Sequence, residues 1–196
     1  MRIVFASNNA GKSQEVAEML RPLGLELLPQ SAFYVPDIDE TGLTFVENAL
    51  IKARNACRHT SLPAIADDSG LEVDALDGEP GIFSSRYAGE HASDADNNSL
   101  LLAELAGIPD AQRSARFQCV MVYLRHASDP TPVICQGTWE GRILPAADGD
   151  GGFGYDPVFY VEAEGCTAAR LPPQTKNRLS HRGQALRALL KRLRPA

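Results

Sequence analysis

Apolar positions along this chain fall into two rhythms, and the switches between them mark out the elements. Ile3-Val4-Phe5-Ala6 is an unbroken apolar run, the pattern of a buried strand, and the turn-forming Ser7-Asn8-Asn9-Ala10-Gly11 follows it. Val16, Met19, Leu20 and Leu23 then recur at i, i+3, i+4 and i+7, which predicts a helix. A second helix is predicted from Thr44 to Arg58. Thr44-Phe45-Val46-Glu47 has the form of a capping box, and Val46, Ala49, Leu50, Ala53 and Cys57 make one apolar face. Leu62-Pro63-Ala64-Ile65-Ala66 reads as a short buried strand that ends abruptly at Asp67-Asp68-Ser69-Gly70. Ser93 to Ala106 predicts a third helix, with Ser93 as its cap and Leu101, Leu102 and Leu105 inward. Arg116–Leu124 and Val133–Ile143 read as two long strands, joined through the turn residues Asp129-Pro130-Thr131-Pro132. Gly149–Gly154 is a loop. A closing helix starts at Ser180, with Leu186, Leu189, Leu190 and Leu193 on one face. The mixture argues for an α/β class, and the pattern alone does not order the strands.

Composition narrows the class without changing that picture. A length of 196 residues suits one domain, residues 1–196, or two closely fused lobes sharing a core. A hydrophobic fraction of 44% with 22% charged residues is that of a soluble globular protein. Apolar runs such as Cys119–Leu124 fall far short of the roughly 18 residues that span a bilayer. The N-terminus enters a strand-like run with no signal-peptide pattern, so a cytoplasmic protein without a membrane partner is expected. The net charge of −6 argues against a nucleic-acid partner, whose binding needs clustered Lys and Arg. A small anionic substrate stays compatible, because a few local cations overcome an unfavourable average field. Cys57, Cys119, Cys135 and Cys166 contain no C-x-x-C pair, so neither a zinc site nor a disulfide framework is expected.

Four segments carry candidate chemistry. Ser7-Asn8-Asn9-Ala10-Gly11-Lys12-Ser13 lies between strand and helix, where backbone N–H groups and the helix dipole favour an anion, and Lys12 adds a full charge. It nearly matches a P-loop, but Ala6 stands where the first glycine belongs, and a capped helix with one solvated lysine is the plainer alternative. Asp67-Asp68 closes a buried strand. Adjacent acids there point to opposite faces, so at most one enters a given cleft, where it is suited to Mg²⁺. Asp37, Asp39 and Glu40 precede Thr41-Gly42 and are candidates to complete the metal shell, or else a solvated loop. Gly151-Gly152-Phe153-Gly154-Tyr155-Asp156 offers an aromatic between glycines. Phe153 suits stacking on a base, and Asp156 offers acceptors for base N–H groups. Lys176 precedes Ser180-His181-Arg182-Gly183, whose His and Arg oppose the dipole of the helix they open. Lys52 faces away from its helix's apolar stripe and is a further candidate. Together these supply phosphate cations, a metal carboxylate and an aromatic platform, which is a nucleotide site.

In these motifs the chain resembles the inosine/xanthosine triphosphate pyrophosphatase family. The likeness runs through Ala6–Lys12, Glu40–Ala49, Ala66–Leu71, Pro80–Tyr87, Gly152–Pro157, Lys176 and Ser180–Arg182, in that order. The resemblance implies an elongated α/β fold, a mixed sheet with flanking helices, in two lobes with the active site in a cleft between them. It implies a homodimer that uses Mg²⁺ to convert non-canonical purine triphosphates (ITP, dITP, XTP, dXTP) to monophosphate and pyrophosphate, cleansing the nucleotide pool. By motif position, Ser7, Asn8, Asn9, Ala10, Gly11 and Lys12 would line the phosphates, and Lys52 would reach the triphosphate. Asp68 would be metal ligand and proton acceptor, and Ser69 would touch substrate. Phe153, Gly154, Tyr155, Asp156, Lys176, His181 and Arg182 would hold the base and sugar. The family often carries two glutamates before Thr-Gly, whereas here Asp39 and Glu40 share the place, and either is a candidate for the metal. A P-loop-like NTPase, a pyrophosphatase of the septum-inhibitor-like class and a non-catalytic nucleotide sensor are the rival readings.

Overall fold

The computed structural model describes residues 2–20 and 26–193. In chain order its elements are β1 (Arg2–Phe5), α1 (Ala10–Leu20), β2 (Glu26–Pro29), α2 (Phe45–Thr60), β3 (Ala64–Val73) and α3 (Asp94–Glu104). There follow β4 (Ser114–Leu124), β5 (Val133–Ile143), β6 (Phe159–Val161), β7 (Cys166–Thr167), α4 (Pro173–Leu179) and α5 (His181–Leu193). The strands form a seven-stranded sheet in the order β2-β1-β3-β4-β5-β6-β7. β1 runs parallel to β2 and β3, and β6 antiparallel to β5 and β7, so the sheet is mixed and the α/β class expected from the pattern is what forms.

The chain divides into two compact units, one of Met1–Asp68, Cys119–Gly137 and His181–Ala196, the other of Ser69–Gln118 and Thr138–Ser180. In the first, the unbroken apolar run of β1 is explained by cover on both faces of the strand. Ile3 and Phe5 pack with Val16 and Leu20 of α1 and with Ala185, Leu186, Leu189 and Leu190 of α5. Val4 and Ala6 pack with Ala49, Ala53, Ala56 and Cys57 of α2. In the second unit Leu71 and Val73 of β3, Leu101 of α3 with Leu105 just after it, and the rings of Phe117, Trp139, Tyr155 and Phe159 build a separate core.

Two differences from the sequence reading concern the site. The strand expected to stop at Ala66 continues through Asp67 and Asp68 to Val73. Acids in a buried strand are costly unless neutralised, and both are paired with cations from neighbouring helices, which removes the reason to stop. The closing helix begins at His181, after a short α4 that the pattern did not announce. β2, β6 and β7 were also not predicted; at two to four residues each they offer too few alternations to register. Leu23, the end of the predicted first helical stripe, lies outside the described residues. Among the described residues no helix is long and apolar enough to cross a membrane.

Candidate active site

In the first unit the turn after β1 is organised by its own side chains. Ser7 Oγ accepts from the Asn9 N–H at 3.2 Å, and Asn9 Oδ1 accepts from the Lys12 N–H at 2.9 Å, capping the helix that Ala10 and Gly11 open. Asn8 donates to Asp37 and accepts from Gln30 Nε2 at 2.8 Å. Ala6 belongs to the core, so its methyl group is a packing residue at a strand end and not a substitute P-loop glycine. Ser7, Asn8, Asn9, Gly11 and Lys12 are therefore exposed or half-exposed in one turn at a helix start, a geometry suited to an anion.

β3 presents its two acids to different helices, as the two-residue period of a strand requires. Asp67, 1% exposed, meets Lys12 Nζ at 3.3 Å and Arg182 Nε at 3.4 Å. Asp68 meets Lys52 Nζ at 2.9 Å and the Asn48 amide at 3.4 Å. Their acidities diverge accordingly. Burial pushes Asp67 up, but the Lys12 and Arg182 cations outweigh it and hold the carboxyl well below the ordinary range. For Asp68 burial wins over Lys52 and Lys12, with Glu40 adding to the rise, and the carboxyl lies above its usual value. Lys52 is desolvated too, yet Asp68, Asp67 and Glu40 together raise its ammonium, which stays charged. Burial, with Asp67 beside it, pushes the Cys119 thiol up to about 12, so this cysteine is packing and not a nucleophile.

Glu40 brings its carboxylate to 2.9 Å from the same Lys52 Nζ. Asp39, the other candidate for a metal, has an exposed side chain, and its backbone carbonyl accepts from the Thr41 N–H. The loop that carries Glu40 is tied down by a residue the sequence reading missed. Asn48, wholly buried on α2, accepts from the Gly42 N–H at 2.8 Å while its amide reaches Asp68. A Cβ on Gly42 would lie 2.5 Å from Glu47 Cβ, so only glycine fits this approach. One signal was available: Asn48 and Lys52 stand at i and i+4, hence on one helix face.

Asp68 and Glu40 supply two hard carboxylates that converge on one cationic point, and among the described residues no cluster of three or more His, Cys, Asp or Glu side chains forms a full metal cage. Mg²⁺ characteristically takes one or two protein carboxylates and fills its shell with phosphate oxygens and water, so the residues present fit it.

The second unit holds the aromatic segment. Asp156, 3% exposed, accepts from the Phe153 N–H at 2.9 Å and from Lys176 Nζ at 2.6 Å, and that ammonium lies 4.7 Å from the centre of the Phe153 ring. A Cβ on Gly152, at φ +74°, would fall 2.0 Å from Asp156 Oδ2. Asp156 thus folds its own loop, because a buried carboxylate must find internal donors. Tyr155 is likewise a core residue here, its hydroxyl donating to the Ser84 carbonyl at 2.8 Å. Ser69 follows Asp68 in β3 and is half-buried.

His181 and Arg182 open α5 in the first unit, and both are buried. Arg182 donates to Glu15 Oε2 at 2.5 Å as well as meeting Asp67, so its guanidinium braces α1 against β3.

The chain is 60% identical over 193 residues to a dITP/XTP pyrophosphatase of Thioalkalivibrio sulfidiphilus, covering 98% of both chains. It is 57% identical over 192 residues to one from Vibrio parahaemolyticus, covering 98% of this chain and 96% of the relative. A solved HAM1 protein from Coxiella burnetii superposes with a TM-score of 0.91 at 53% identity, over 98% of each chain. The model of the Ham1 family matches residues 3–192, and the chain belongs to that family.

Proposed function

We propose that the protein is a Mg²⁺-dependent pyrophosphatase that hydrolyses non-canonical purine triphosphates, those of inosine and xanthosine and their deoxy forms, to the monophosphate and pyrophosphate. The observation that carries the reading is the meeting of Asp68, Glu40 and Lys52, with Lys12 held beside them on Asp67. When bound, the metal supplies polarisation of phosphate oxygens and a water of lowered pKa.

The chain's own residues account for the rest. Water oxygen bonds to the α-phosphorus as the bond to the bridging oxygen breaks, and the water's proton passes to Asp68. A carboxyl raised above its usual range is the better base. Lys12 and Lys52 neutralise the charge gathering on departing pyrophosphate. Ser7 to Gly11 receive phosphate oxygens at the start of α1. Phe153 offers its ring to the purine, and Lys176, His181 and backbone N–H groups donate to the 6-oxo group. Adenine, with an amino group at that position, would set donor against donor, and unpaired buried polar groups discriminate strongly. Close relatives named for dITP and XTP support this substrate class. We assign the protein to the cytoplasm, as a homodimer, without a nucleic-acid or membrane partner.

Pyrophosphate release across natural and deaminated triphosphates, with and without Mg²⁺, tests the reading. Inosine and xanthosine triphosphates should release pyrophosphate only with the metal. Release of orthophosphate would favour an NTPase, and binding without release a sensor.

A further inference from the structure

Two side chains outside every motif read from the sequence hold the segment that carries Phe153. Both belong to α3, one helical turn apart. Asp94 accepts from the Gly154 N–H at 2.6 Å, and Asn98 donates through Nδ2 to the Gly154 carbonyl at 2.8 Å. One residue is thereby gripped at both of its backbone polar atoms, in a left-handed conformation at φ +61°. Ser93 and Asp96 form a reciprocal capping box at the start of α3, and Asn98 Nδ2 also bonds the Asp94 carbonyl at 2.8 Å. The buried Asn97 ties the same turn to the Ala88 N–H at 2.8 Å. On the other side of the ring, Asp156 holds the Phe153 N–H.

A run of glycines around one phenylalanine has more conformational freedom to lose than any other composition. A stacking surface is useful only when it is held to about 0.5 Å and 10–20°. We propose that Asp94 and Asn98 are positioning residues of the base platform, fixing the Gly154 peptide so that the Phe153 ring is set before substrate arrives. The inference rests on the reading of Phe153 as the base-stacking ring, and the experiment separates the two.

Kinetics with inosine triphosphate are measured beside hydrogen exchange of residues 151–156 in the substrate-free protein. Asp94→Ala and Asn98→Ala should each raise KM about tenfold with kcat within about twofold, the mark of lost binding common to ground and transition states. Exchange in the segment should quicken in both. Asp94→Asn keeps an acceptor oxygen without the charge and should stay near wild type in both readouts. Asp96→Ala breaks the capping box without touching Gly154, so it should lower the melting temperature and leave KM unchanged. Wild-type KM and exchange in Asp94→Ala would overturn the proposal, as would an equal rise of KM in Asp96→Ala. Phe153→Ala completes the set. If its KM is unchanged, the stacking role itself fails; if its KM rises while that of Asp94→Ala does not, only the α3 clamp fails.

Discussion

Asp67 and Asp68 are chain neighbours whose carboxyls are shifted in opposite directions, Asp67 down by Lys12 and Arg182 and Asp68 up by burial, and the proposed chemistry falls to Asp68. Two carboxyls driven apart by their surroundings are the usual sign of divided roles. Asp68→Asn keeps shape and the amide's partners, and Lys52 retains Glu40. Turnover should vanish while the thermal midpoint stays close to wild type; an active Asn variant would remove Asp68 from the chemistry. Arg182→Ala should act on stability instead. It strips a buried cation from Asp67 and Glu15, and breaking such a pair typically costs about 3–5 kcal/mol, readable by urea unfolding. A variant with wild-type stability and a raised KM would restore Arg182 to the base. Asp67 also sets a sign for pH. Its folded carboxyl is depressed relative to an unfolded value of about 3.9. Its contribution is therefore complete above that pH and drains away as the pH falls below it. Unfolding midpoints of Asp67→Asn, lower overall, should fall less steeply than wild type over this acid range.

At the scale of elements, α2 shows how a cap and a tie can be tested apart. Thr44 Oγ1 accepts from the Glu47 N–H at 3.3 Å, while Glu47 reaches back to the Leu43 N–H at 2.9 Å. Thr44→Ala should cost about 1 kcal/mol in unfolding experiments. Asn48→Ala removes the tie between Gly42 and Asp68, so it should raise the Mg²⁺ concentration for half-maximal rate; a wild-type metal response would show that Glu40 is held without it. The cap was legible in the sequence because its partners are three residues apart, and Ser93 was legible as the cap of α3. The periodicity of α2, α3 and α5 and the runs of β1 and β5 were legible for the same local reason. Asn48, Asp94 and Asn98 were not. Each is a polar residue on a helix, and its meaning comes from a partner fixed only by tertiary structure, 60 residues away in the case of Asp94 and Gly154. β3 misled for a related reason: consecutive acids argue against a buried strand until the cations supplied by α1, α2 and α5 are known.

For the whole molecule the decisive fact is the division of labour. Lys12, Lys52, Glu40 and Asp68 lie in the first unit and the aromatic segment, with Asp156 and Lys176, in the second, in a chain whose net charge of −6 gives no general attraction for a triphosphate. Attraction for a phosphate must then come from local cations such as Lys12 and Lys52, and each proposed contact can be tested by itself. A non-hydrolysable inosine triphosphate at about a hundredfold excess over its Kd should stabilise the protein by about 2.7 kcal/mol. For a chain of this length that is a rise in Tm of about 5–10 °C. Hydrogen exchange should slow both in residues 7–12 and in residues 151–156. Inorganic tripolyphosphate carries the charge without the ring and should protect only the first segment. If it protects both equally, the aromatic segment is responding to charge and not to a base, and the assignment of Phe153 to the purine has to be abandoned.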